Sequence, residues 1–144
     1  MQCPREGTEL VVEQEYHGIE VDRCPSCEGR WLDHDELDLL EATVPSTPGE
    51  RRATIKYAER QSELSCPRCG KTITAFNYRA YNLELDACED GHGFWLDAGE
   101  EARVREIIQE RVRGLARAAS AEAAWGHFLG GLRGGGGLFG RRRR

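Results

Sequence analysis

Three stretches near the start of the chain, CPREGTEL (residues 3–10), GIEVDRC (18–24) and GRWLDHDEL (29–37), return further on as CPRCGKTI (66–73), NLELDAC (82–88) and GFWLDAGEE (93–101). Setting Cys24 on Cys88 places Ile19 on Leu83, Val21 on Leu85, Asp22 on Asp86, Trp31 on Trp95, Asp33 on Asp97 and Glu36 on Glu100. Self-similarity of this kind means that one small structural unit is built twice. Each copy opens on a Cys-Pro turn. Alternating segments follow, Leu10 to Gln14 with Ile19 to Asp22 in the first copy and Ile73 to Tyr78 with Leu83 to Asp86 in the second. Alternation with period two predicts hairpin strands, turned at Gly18 and at Tyr81-Asn82. A short Trp-Leu strand comes next, and Asp33-x-x-Glu36 and Asp97-x-x-Glu100 are capping signals that start a helix.

Outside the copies the pattern changes. Thr43 to Glu50, with Pro45, Pro48 and Gly49, has the composition of a linker. Arg51 to Ser62 fits either a short helix or an extended arm. From Ala98 to about Ser120 the pattern is helical, with Val104, Ile107, Ile108, Val112 and Leu115 on one stripe. Trp125, Phe128, Leu129 and Leu132 continue a helical spacing, against Gly126, Gly130 and Gly131, each of which costs a helix up to about 1 kcal/mol. The predicted division is 1–42, a linker over 43–63, 64–101, a helical segment over 102–132, and a flexible Gly/Arg tail over 133–144.

The chain has 144 residues, 39% of them hydrophobic and 17 of them glycine. Half of such a chain cannot bury enough apolar surface to offset its ordering entropy, so each unit needs a staple. Six cysteines are available: Cys3, Cys24, Cys27, Cys66, Cys69 and Cys88. No N-terminal apolar h-region marks the chain for export, and no run reaches transmembrane length. The expected compartment is the reducing cytoplasm, where closely spaced cysteines are metal ligands rather than disulfides.

Zinc takes four tetrahedral ligands from thiolate, imidazole and sometimes carboxylate. The second copy supplies a complete set: Cys66 and Cys69 on one turn, Cys88 and His92 on the other. The first supplies Cys3, Cys24 and Cys27, and Glu6 stands where Cys69 stands in the second. Glu6 is favoured as the fourth ligand because it sits in the turn itself. His34 has the better zinc chemistry but lies beyond the Trp31-Leu32 strand. His17 lies at the hairpin tip, and water is a further alternative. The expected cofactor is two zinc ions per chain. The fold class that follows is a small metal-stabilised α+β protein: two tandem zinc ribbons, each a short antiparallel hairpin plus a third strand leading into a helix, with a C-terminal amphipathic helix.

CPREGTELVVEQ with HGIEVDRCPSCEGRWLDHDELDLLE resembles the transcription-factor-IIB-type zinc ribbon domain of small bacterial proteins, and AFNYRAYNLELDACEDGHGFWLDAGE resembles a paired form of it. The resemblance covers residues 1–41 and 64–101. It implies metal ligation by the six cysteines, with His92 replacing a fourth Cys. Glu6 departs from the usual Cys or Asp. The family name suggests a transcription-associated role by analogy of fold.

Residues 1–100 carry a net charge of −11 and residues 101–144 a net of +6. An acidic front disfavours a phosphate reader. No serine-histidine-aspartate set, phosphate loop or dinucleotide fingerprint is present, so no catalytic residues are assigned and a non-enzymatic protein is expected. The first expectation for a partner is another protein, met by the Trp125/Phe128/Leu129/Leu132 stripe. The alternative is a nucleic acid, met by Phe76, Tyr78 and Tyr81 with Arg79, and by the Arg141 to Arg144 cluster. Leu138 and Phe139 beside those arginines are too little for stable membrane anchoring. The C-terminal helix could also pair with a second copy of itself.

Overall fold

The computed structural model describes residues 1–16, 18–52 and 54–134. The order of elements is β1 (Val11–Tyr16), β2 (Ile19–Arg23), β3 (Arg30–Leu32), α1 (His34–Ala42), the single turn α2 (Pro48–Arg51), β4 (Lys56–Ser65), β5 (Thr72–Tyr78), β6 (Glu84–Ala87), β7 (Phe94–Leu96) and α3 (Glu100–Gly134). The predicted hairpins form: β1 pairs antiparallel with β2, from Val11 opposite Arg23 to Tyr16 opposite Ile19, and β5 pairs with β6, from Thr74 opposite Ala87 to Asn77 opposite Glu84. Residues 51–62, for which the sequence left a helix or an arm open, hold the end of α2 and most of β4. That strand pairs with the outer edge of β5.

The seven strands make one antiparallel sheet in the order β1-β2-β3-β7-β6-β5-β4. The seam is β3 against β7, with Arg30 opposite Leu96, Trp31 opposite Trp95, and Leu32 opposite Phe94. Both members of the central pair occupy the same position in the sequence repeat. The halves therefore meet about a pseudo-two-fold axis through Trp31 and Trp95. The period of a strand then sorts the side chains. Trp31 and Trp95 face one side with Cys3, Cys24, Cys66, Cys88, Leu10, Leu64 and Ile73. Leu32, Phe94 and Leu96 face the other, where Leu37 and Leu40 of α1 and Val104 and Ile107 of α3 cover the sheet. Gly29 lets the tryptophans close: a Cβ there would lie 2.2 Å from Cζ2 of Trp95.

Polar ties cross the seam. Arg5 makes a bidentate ion pair with Asp97, whose Oδ1 also accepts from Trp95 Nε1 at 2.9 Å. The carboxylates of Asp86 and Glu100 lie in the field of the same guanidinium. Asp33 and Glu36, the counterparts of Asp97 and Glu100, form a complete capping box at α1, with Glu36 N–H donating to Asp33 Oδ1 at 2.9 Å and Asp33 N–H donating to Glu36 Oε2 at 2.6 Å. Arg68, the repeat counterpart of Arg5, lies in the field of Glu36. Each half thus sets an arginine from its first cysteine turn against the helix-start carboxylates of the other.

Beneath α1, Glu41 and Arg79, each 4% exposed, form an ion pair at 3.0 Å. The Tyr78 hydroxyl donates to the same carboxylate, and Arg79 Nη1 donates to the Arg51 carbonyl at 2.6 Å. Arg79 reaches this position from a left-handed backbone, φ 51°, at the end of β5. Arg111 of α3 donates to the carbonyls of Glu50 and Arg52, each at 2.6 Å, and fixes the residues between the halves.

α3 continues through Gly126, Gly130 and Gly131 to Gly134 as one helix. The alanine-rich run from 116 to 124 supplies the propensity, and glycine weakens a helix without blocking its geometry. Every residue from 115 to 132 is exposed, including Trp125 at 62%. No helix among the described residues is long and apolar enough to cross a membrane. The tail over 135–144 and His17 lie outside the described residues.

Gly29→Ala forces a methyl group into the buried Trp95 ring and should cost about 1–3 kcal/mol, measured as a lower urea midpoint at unchanged slope. Burial, with Asp97 and Asp86 nearby, raises the Glu100 carboxyl to about 7 from an ordinary 4.5. Between those two pH values the unfolded chain ionises first, so the group removes stability as pH rises through that window. Glu100→Gln, which keeps an acceptor for the Asp97 amide, should gain on wild type from pH 5 to pH 8. Paired urea titrations in excess zinc check this, and a constant difference across the range would contradict it.

Candidate metal centres

Each centre is built from reverse turns that repeat one hydrogen-bond pattern. The Gly7 amide donates to the Cys3 carbonyl at 2.9 Å, Glu28 to Cys24 at 3.0 Å, and Gly70 to Cys66 at 2.8 Å. The cysteine amides answer, Cys3 donating to Thr8 at 2.7 Å, Cys24 to Gly29 at 2.8 Å, and Cys66 to Lys71 at 2.8 Å. The residue after the second ligand position has positive φ in all three: 68° at Gly7, 61° at Glu28 and 73° at Gly70. Glycine adopts this conformation freely, whereas Glu28 adopts it at a steric cost. The fourth turn is tighter. Gly91 donates to the Cys88 carbonyl at 3.1 Å, one residue earlier than in the others. His92 follows in this turn and sets its Nδ1 toward the sulfurs of Cys66 and Cys88.

The hairpins carry the turns together in pairs. The ligand atoms of Cys66, Cys69, Cys88 and His92 all lie within 4.8 Å of one another, as do those of Cys3, Cys24 and Cys27. A zinc–sulfur bond of about 2.3 Å sets tetrahedral thiolates about 3.8 Å apart, and a thiolate and an imidazole nitrogen about 3.5 Å apart. The structure has Cys69 Sγ 3.8 Å from Cys88 Sγ, Cys88 Sγ 3.4 Å from His92 Nδ1, and Cys66 Sγ 3.7 Å from His92 Nδ1. Cys3 Sγ and Cys27 Sγ are 3.6 Å apart. Donor type and spacing both fit a tetrahedral soft-ligand ion. All six cysteines are free thiols.

Amide N–H groups aim at the sulfurs. Cys27 donates to Cys24 Sγ at 3.5 Å, and Arg68 to Cys66 Sγ at 3.4 Å. Burial pushes the Cys27 thiol up to about 12 and the Cys66 thiol up to about 11, with neighbouring sulfurs adding to the rise. Burial acts on Cys24 and Cys88 too. There the amides of Cys27 and Ser26, and of Asp90 and His92, outweigh it and hold both below the ordinary thiol value. Crowded thiols cannot all ionise without a cation among them. A divalent ion would supply that charge, and binding would release protons.

The structure does not bring Glu6 or His34 into the first cluster. The Glu6 carboxylate accepts from the Ser26 hydroxyl, which links the two turns along their exposed edge. His34 stacks on Phe94, with ring centroids 5.2 Å apart, on the helix side of the sheet and away from the cysteines. His17 lies outside the described residues. His127 sits on the exposed length of α3.

The aromatic residues weighed for base stacking are placed otherwise. Phe76 and Tyr78 are buried against the helices, Tyr81 packs partly buried on the same core, and Arg79 is held by Glu41. No such surface forms on this hairpin, and Arg141 to Arg144 lie outside the described residues. Sequence reading missed the Arg5–Asp97 and Ser26–Glu6 pairs. Only the matching places of Arg5 and Arg68 in the repeat hinted at the first.

No curated protein and no solved structure matches the chain. Residues 2–42, which hold Cys3, Cys24 and Cys27, match the family model described as a transcription factor zinc-finger. This segment is a zinc ribbon of the transcription-factor-IIB type.

Proposed function

We propose that the chain is a non-enzymatic interaction protein of the reducing cytoplasm, built from two tandem zinc ribbons that each hold one zinc ion in a structural role. The observation that carries this reading is the tetrahedral spacing of Cys66, Cys69, Cys88 and His92, with a second thiol cluster across the Trp31–Trp95 pair. Zinc would tie the ends of each hairpin where the apolar core is small. The rigid body so formed would present the outer half of α3 to a protein partner. Trp125, stacked on Phe128 with centroids 5.4 Å apart, and Leu129 and Leu132 give that half its exposed apolar face. Helices dock in grooves through residues so spaced. The description of the family matched by residues 2–42 makes a transcription-associated adaptor the leading form of this idea.

Native mass spectrometry should find two zinc ions per chain, and Cys69→Ser should leave one. Removal of zinc by a chelator should abolish the cooperative unfolding transition, since metal binding and folding are one equilibrium in sites of this kind. The paired substitution Trp125→Ala and Phe128→Ala should leave zinc content and unfolding midpoint unchanged. It should also remove any partner crosslinked at position 129 in cells. A crosslinked partner that survives the substitution rules out this face.

A further inference from the structure

The two clusters are unequal, and the difference lies in the residues themselves. Among the described residues the second brings four donors together and the first brings three. The position that would complete the first by repeat symmetry is Glu6, the counterpart of Cys69. Its carboxylate is engaged by Ser26 on the opposite turn. His34, the other candidate among the described residues, lies across the sheet on Phe94.

We propose that the first centre holds its ion through Cys3, Cys24 and Cys27 and takes an imidazole from outside the chain as its fourth ligand. The inference rests on the zinc-binding reading given above. Three features favour it. The edge of the site is open: Glu6, Gly7, Ser26 and Glu28 are exposed, Cys27 is half-buried, and a Cβ built on Gly7 would meet nothing within 4 Å. Charge selects the donor. Three thiolates and one divalent zinc leave about −1, and Glu6 and Glu28 add negative charge at the rim. A fourth anionic ligand would take the centre to about −2 beside those two carboxylates, whereas a neutral imidazole leaves it at about −1 and reproduces the three-thiolate, one-imidazole set of the second cluster. The third feature is Glu6 itself. A metal-bound imidazole donates its other ring N–H to a carboxylate, a backbone carbonyl or water, which fixes the tautomer and the ring plane. Glu6 stands at the mouth of the first cluster, where among the described residues the Ser26 hydroxyl is its hydrogen-bond partner. Its role would be to orient the incoming ring rather than to bind the ion. The imidazole could belong to a histidine of a partner or to a small molecule, and the chemistry is the same.

The full chain, loaded anaerobically with cobalt(II) and titrated with imidazole, tests this through the visible absorption of the metal. Two cobalt equivalents should bind. The bands of one should shift saturably with imidazole and those of the other should not. Glu6→Ala should keep both equivalents and its imidazole-free spectrum, and should need about 10-fold or more imidazole for the same shift. 2-Methylimidazole, crowded beside its nitrogens, should bind more weakly than imidazole. The proposal is overturned if two cobalt ions bind and neither responds. It is also overturned if Glu6→Ala, His34→Ala or His17→Ala alters the imidazole-free spectrum, because a residue of the chain then holds the fourth position. Fewer than two bound cobalt ions would instead overturn the two-centre reading on which the proposal stands.

Discussion

Two strands of three residues each, Arg30–Leu32 and Phe94–Leu96, hold the molecule together. Neither could persist alone, since isolated short strands are at best marginal in water. Placed against each other they fuse two small sheets into one and bury Trp31 and Trp95 between the cysteine turns. They also align the opposite face, so that Leu32, Phe94 and Leu96 form the floor on which both helices rest. The cysteine clusters and the helix packing therefore share one seam. Gly29 and Gly93 flank it because a side chain at either would strike Trp95 or the Leu32 carbonyl.

The electrostatics follow the same plan. Carboxylates gather where the helices start, close enough that burial and mutual repulsion raise Glu36, Asp86 and Glu100. Arginines from the opposite half meet them, Arg5 by a direct pair and Arg68 through its field. The Glu41–Arg79 pair does a similar task nearer the helices. An ion pair this deep specifies one arrangement more than it adds stability, because desolvation consumes most of the attraction. Arg79 adopts a strained backbone to reach it, which indicates that the surrounding structure holds the pair firmly.

Much of this was legible in the residues. The alternation in Ile19 to Asp22 and in Leu83 to Asp86 gave the hairpins, and Asp33-x-x-Glu36 gave the start of α1, because these signals are local. The Cys66/Cys69/Cys88/His92 cluster was legible because turn spacing and ligand chemistry agree. Four features were not. The β3–β7 seam is a long-range pairing of segments 64 residues apart, and a three-residue strand carries no period that names its partner. The β4 strand is mostly polar, since it covers an edge, and its sequence lacks the apolar alternation that marks a strand. Phe76 and Tyr78 read as surface aromatics on a hairpin because the helices that bury them come from elsewhere in the chain. The position of Glu6 depended on Ser26, a neighbour across two turns that no spacing rule reveals.

The pseudo-two-fold axis has a consequence for the molecule in parts. Each half meets the other through a strand whose complement is its own near-copy. Released by a cut in the residues that join them, either half would carry an edge already matched to a second molecule of itself, with tryptophan opposite tryptophan. The covalent connection between the halves keeps that match internal. It makes reunion of the two edges within one chain far more probable than a meeting between chains. The joining segment, with its helical turn clamped by Arg111, thus favours closure of this self-matching seam within one chain over pairing between two.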